Sequence, residues 1–98
     1  MTKPEFLTIT SDIDRAASQQ GIDVSDPANT FTVWLENPRG SGKYFLHGKT
    51  GSLEGAKMLA GPLEAIIRTT KTGRLQIIVW KDRQWIDGYA DEQPICGR

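Results

Sequence analysis

The sequence predicts an α+β fold: one antiparallel sheet of four to five strands with two helices on one face. Three stretches carry that expectation. Phe31–Glu36 alternates, with Phe31, Val33 and Leu35 on one side and Thr32, Trp34 and Glu36 on the other, as a half-buried strand requires. Leu53, Ala56, Leu59, Ala60, Leu63, Ile66 and Ile67 recur at helical spacing behind Ser52, which can cap a helix. Ile77–Trp80 is a short, near-continuous apolar run, the pattern of a strand buried on both faces.

The remaining elements follow in chain order. Phe6–Thr10 is short, apolar and β-branched and reads as a first strand. Ser11 then offers a cap, Asp12 and Asp14 suit the positive end of a helix, and Gly21 ends it. Asp23 to Asn29, with its Asp-Pro step, is a loop. Asn37-Pro-Arg-Gly-Ser-Gly42 is turn chemistry, so Phe31–Glu36 and the strand over 43–48 form a hairpin with a basic, glycine-rich tip. Gly61-Pro62 predicts a kink or restart in the second helix, because proline lacks the N–H and clashes with the preceding turn. Thr69–Gly73 is a turn, residues 74–80 a central strand, Lys81-Asp-Arg a tight turn, and Gln84–Tyr89 an optional fifth strand at the edge. Residues 90–98 read as a flexible tail of this single domain, 1–98.

The order is strand, helix, strand, strand, helix, strand. It is the βαββαβ pattern of ferredoxin-like folds, whose free sheet face is available for binding. At 38% hydrophobic and 24% charged residues the composition is that of a globular domain with one modest core. No apolar run approaches a membrane span, and the N-terminus lacks the apolar segment of a signal peptide, so no membrane partner and a cytoplasmic location are expected. Cys96 is the one cysteine and His47 the one histidine; neither stands in a pattern that points to a metal, a cofactor or a nucleophile, so the chain reads as no enzyme.

Charge is sorted along the chain although the net formal charge is zero. Residues 1–36 hold two basic and six acidic residues, whereas residues 37–83 hold nine basic and three acidic. A basic middle interleaved with aromatics suits phosphates or an acidic protein surface. The segments RGSGKYFLHG, SLEGAKMLAG and GRLQIIVW resemble the second half of an RNA recognition motif. The resemblance implies bases stacked on sheet aromatics with lysines and arginines along the backbone. By position, Tyr44 or Phe45, and Phe6, would stack; adjacent aromatics point to opposite faces, so one of Tyr44 and Phe45 can lie on the open face.

WKDRQWIDG is similar to a segment of ribonuclease H, a family that needs converging carboxylates to hold its metal ions. No acid stands at Met58, so what that resemblance implies is a degenerate, non-catalytic relative with Asp82 as a turn residue. NPRGSGK lacks the spacing of a phosphate-binding loop and reads as the hairpin tip.

The expected function is a small non-enzymatic binding protein that contacts nucleic acid, single-stranded or read by its backbone. Arg39, Lys43, Lys49, Lys81 and Arg83 are the candidate phosphate contacts, with Tyr44 and Trp34 as stacking candidates. The competing expectation is a protein-interaction module or inhibitor that docks on an acidic partner. Whether the basic residues share one face decides how much the charge pattern means.

Overall fold

A computed structural model describes residues 1–71, 74–90 and 93–95. The first element is helix α1, Lys3–Gln20. Thr2 caps it: its hydroxyl accepts from Glu5 N–H while the Glu5 carboxylate accepts from Thr2 N–H, and Pro4 occupies the first turn. Gly21, at φ 71°, ends the helix, and Ile22 N–H reaches back to the Ala17 carbonyl. The strand expected at Phe6–Thr10 is therefore wrong. Those residues lie inside α1, because Phe6, Ile9, Ile13, Ala16 and Ala17 share one helical face and bury against the sheet. Burial and the cap outweigh the modest helix penalty of β-branched residues.

A short 3-10 turn at Pro27–Asn29 leads into the sheet. Its strands are β1 (Phe31–Glu36), β2 (Tyr44–Thr50), β3 (Ala65–Thr69), β4 (Gln76–Lys81), β5 (Gln84–Ala90) and the two-residue β6 (Gln93–Pro94). Helix α2 (Leu53–Ala60) lies between β2 and β3. The spatial order is β2-β1-β3-β4-β5-β6, every pair antiparallel. The α+β class, the antiparallel sheet and the two helices are as the sequence predicts, and the expected fifth strand is β5. The expected tail includes Ala90, which ends β5, and Gln93–Pro94, which pair with it; residues 91, 92 and 96–98, Cys96 among them, lie outside the described residues.

Ser52 caps α2 as expected, its hydroxyl accepting from Gly55 N–H, and Gly61 at φ 53° closes the helix before Pro62. The restart beyond Pro62 does not occur. Ala65–Thr69 instead forms β3, threaded between β1 and β4, with Ile67 fully buried. A strand covered on both faces is apolar at consecutive positions, and that pattern mimics one helical turn.

The helices do not share a face. Buried residues of α1 pack with Trp34, Tyr44, Ile77 and Tyr89, whereas Ala56 and Ala60 of α2 pack with Phe31, Val33, Ile67 and Ile78. Trp34 alternates with Val33, and Ile77 with Ile78, so the two sets line opposite sides of the sheet. The reason is that β1, β3 and β4 carry apolar side chains on both sides, and one helix cannot cover both. Each side of these central strands thus packs against a helix.

β4 and β5 join through Asp82 and Arg83, both at positive φ (54° and 61°). This two-residue hairpin geometry favours glycine at the second position. Replacing Arg83 with Gly is expected to raise stability by about 0.5–1 kcal/mol, since an L-residue in the left-handed region costs energy that exceeds glycine's extra entropy loss. A thermal melt higher by about 3–6 °C would show it; an unchanged melt would mean the turn is not held in that geometry.

Candidate binding surface at the hairpin end of the sheet

Because β1 and β2 are antiparallel and β3 pairs with β1, one end of the sheet collects three loops: the hairpin tip after Glu36, the segment before Ala65, and the Asp82–Arg83 turn. The deciding contacts involve Glu64. One of its oxygens lies 2.6 Å from Arg39 Nη1 and the other 3.8 Å from Lys81 Nζ. Residues distant in sequence thus meet at one carboxylate. Lys43 and Arg83, at the same end, are exposed and have no ion-pair partner among the described residues. Arg83 also borders a shallow groove of about 410 Å³ with Lys57, Met58 and Trp80. Four of the five expected cations therefore share one end. Lys49 does not: it pairs in register with Thr32, toward the opposite end of β2.

The tip is held from within. Asn37 N–H donates to the Lys43 carbonyl, and the Glu36 carboxylate accepts from Gly42 N–H at 2.9 Å. Gly42 has φ 72°, the region that favours glycine, and a side chain there would have to displace the Asp12 carboxylate. Arg39, by contrast, is 72% exposed and its ion pair with Glu64 is of the surface kind that contributes little to stability. An incoming anion can compete for it.

The stacking assignments fail. Trp34 is fully buried under α1, with its indole N–H donating to Thr32 Oγ1 at 2.8 Å. Tyr44 is buried in the same cluster, and burial together with Glu36 and Asp12 pushes its phenol up to about 12. Phe6 is also core, 4.8 Å from the Tyr89 ring. Sequence alternation correctly limits the exposed aromatic to one of Tyr44 and Phe45, and it is Phe45, half exposed on the edge strand. Met58 on α2 and Leu63 in the turn that follows it are further exposed apolar residues.

Beneath the tip, on the α1 side, lies a second feature that the sequence does not reveal. A cleft of about 370 Å³ has Glu5, Glu36, Glu64 and Asp87 at its margin and Trp34, Tyr44 and Ile66 in its wall. These acids are spread over the chain and meet only through the sheet register. Each has a partner: Glu5 is held below the usual carboxylate range by hydrogen bonds from Thr2, and Asp87 pairs with the Met1 ammonium at 2.8 Å. No group of three metal-ligating side chains occurs among the described residues. His47 is structural, its Nε2–H donating to the Leu59 carbonyl at 3.0 Å and tying β2 to the end of α2. Asp82 is a turn residue, as expected. No described helix is long and apolar enough to cross a membrane.

A scan against protein-family models, a search of curated proteins and a search of solved structures each return no match.

Proposed function

We propose that the protein is a small non-enzymatic interaction module that docks on an acidic protein partner through the hairpin end of its sheet. The observation that carries this reading is the composition of that end. Arg39 and Lys81 meet at Glu64 and Arg83 borders the groove that holds the exposed Met58, while Trp34, Tyr44 and Phe6 are in the core and Phe45 is half exposed. Arginine, methionine and aromatic residues are the types enriched in protein interfaces. Glu64 pairs with both Arg39 and Lys81; counting Glu36 and Asp82 at the same end, the four cations Arg39, Lys43, Lys81 and Arg83 outnumber the three carboxylates by one.

A second reading, contact with a nucleic-acid backbone, is supported by the convergence of Arg39, Lys43, Lys81 and Arg83. It would be backbone contact without stacking on Trp34 or Tyr44.

Titration with a labelled polyglutamate and with a labelled single-stranded oligonucleotide separates the two. On the first reading polyglutamate binds, and the double variant Arg39→Glu/Arg83→Glu binds at least tenfold more weakly with an unchanged melting profile. Preferential binding of the oligonucleotide, with an affinity that falls steeply with salt, favours the second. If neither probe binds at low salt, the hairpin end is not a docking surface for anions.

A further inference from the structure

Among the described residues the outer edge of β2 borders no other strand, and something occupies part of it. The carboxamide of Gln20, the last residue of α1, donates to the Tyr44 carbonyl at 2.8 Å and accepts from Leu46 N–H at 3.2 Å. One residue of a parallel neighbouring strand would make these same two bonds, reaching the carbonyl of one residue and the N–H of the next but one. Beside them runs a groove of about 270 Å³ between helix and strand, lined by Asp12, Ala16 and Gln19 on α1 and by Lys43 through Phe45 on the chain entering β2. A single flexible side chain thus stands where a strand would fit.

We infer that this groove takes an extended, acidic segment of the protein partner, which adds to β2 as an edge strand and displaces the Gln20 carboxamide. The inference rests on the interaction-module reading above and names how the partner enters. Unpaired strand edges bind extended peptides through main-chain bonds, with alternate side chains setting specificity. Charge selects an acidic occupant. Lys43 and Lys49 are exposed at the two ends of the edge, and the one carboxylate in the groove, Asp12, is already paired with Arg15. Charge also disfavours a second copy of this chain. Antiparallel self-pairing about Leu46 brings Lys43 toward Lys49 of the other copy across the irregularity at His47, and in-register parallel pairing sets each lysine against itself; like charges brought together across a ladder are destabilising. Phe45, half exposed, offers an apolar contact to the residue of the incoming strand that lies beside it.

The probe is a fluorescein-labelled octapeptide alternating Glu and Val, read by anisotropy and by amide shifts. Binding is expected to shift the amides of Tyr44–Thr50. Gln20→Ala, which retains helix propensity, should tighten binding about threefold to tenfold, because the competing carboxamide is gone. In that variant Leu46 N–H should exchange faster and regain protection when peptide is added. Lys43→Glu/Lys49→Glu should weaken binding at least tenfold, and a peptide with proline at alternate positions should not bind, having lost ladder donors. Equal binding of a Lys-Val octapeptide would overturn the inference, as would indifference to Gln20→Ala and to the lysine reversal. So would self-association of the Gln20→Ala variant in place of peptide binding. Loss of binding in Arg39→Glu/Arg83→Glu, with no effect of Gln20→Ala or Lys49→Glu and no shifts along β2, would leave the hairpin end as the docking surface and remove the edge.

Discussion

Replacing Trp34 with alanine is expected to destabilise the fold by about 3–5 kcal/mol, the range for removing a large aromatic from a packed core. The indole is fully buried between α1 and the sheet, in contact with the cluster that contains Phe6, Ile13, Tyr44 and Ile77. Its N–H also bonds Thr32 Oγ1, so truncation removes both apolar packing and a buried hydrogen bond. Trp34→Phe should cost less, about 1–2 kcal/mol, because most of the ring area stays. Urea unfolding measures both: the midpoint should fall with little change in slope. A ring used for stacking on a ligand would behave oppositely, with stability retained and binding lost. A cost below about 1 kcal/mol for Trp34→Ala would place the indole outside the core.

The second large effect is a loss of stability in alkali that depends on Tyr44. Its phenol is raised to about 12 in the folded state, first by burial and then by the nearby Glu36 and Asp12 charges. Below the ordinary phenol value of about 10, folded and unfolded chains both keep the proton, and the contribution is fully present. Between about 10 and 12 the unfolded chain releases the proton while the folded chain holds it, so unfolding becomes more favourable. The loss is complete above the folded value. Two pH units at about 1.4 kcal/mol each correspond to about 2–3 kcal/mol. Tyr44→Phe cannot ionise, so its stability should decline less between pH 10 and 12 than that of the wild type. Parallel pH profiles for the two proteins would show that the phenol reaches solvent in the fold.

The Arg83→Gly substitution connects stability to function. The turn would relax, yet the guanidinium at the hairpin end would be lost, so stability should rise while binding of an acidic probe falls. A residue kept in an unfavourable backbone region at a charged surface is the usual trade between the two. Arg39 differs, since it sits on a glycine-rich tip with no comparable strain and only an exposed ion pair to Glu64.

Much of the fold is legible from local chemistry. The alternation of Phe31–Glu36, the turn residues of the hairpin, the Ser52 cap and the run at Ile77–Trp80 each mark an element where it stands, because caps, turns and period-two patterns act within a few residues. The first helix was also legible in principle: Thr2 and Glu5 form a capping box with Pro4 between them, and this outranks the strand propensity of Phe6–Thr10. Ile66 and Ile67 were not legible in the same way. Their spacing fits a helix, and only their place between β1 and β4 makes them a strand.

What the sequence by itself determines is the α+β class, the strands up to Trp80 apart from β3, the hairpin, and the concentration of positive charge in the middle of the chain. Only the tertiary structure decides which faces are covered and which charges meet. The two helices lie on opposite sides because three central strands are apolar on both, and that arrangement sends Trp34 and Tyr44 into the core. The same register brings Arg39 and Lys81 to Glu64 and leaves Lys49 apart. Side-chain identity sets what each residue can do, but whether a ring faces solvent or a charge finds a partner depends on strands that are neighbours in space and far apart in the chain.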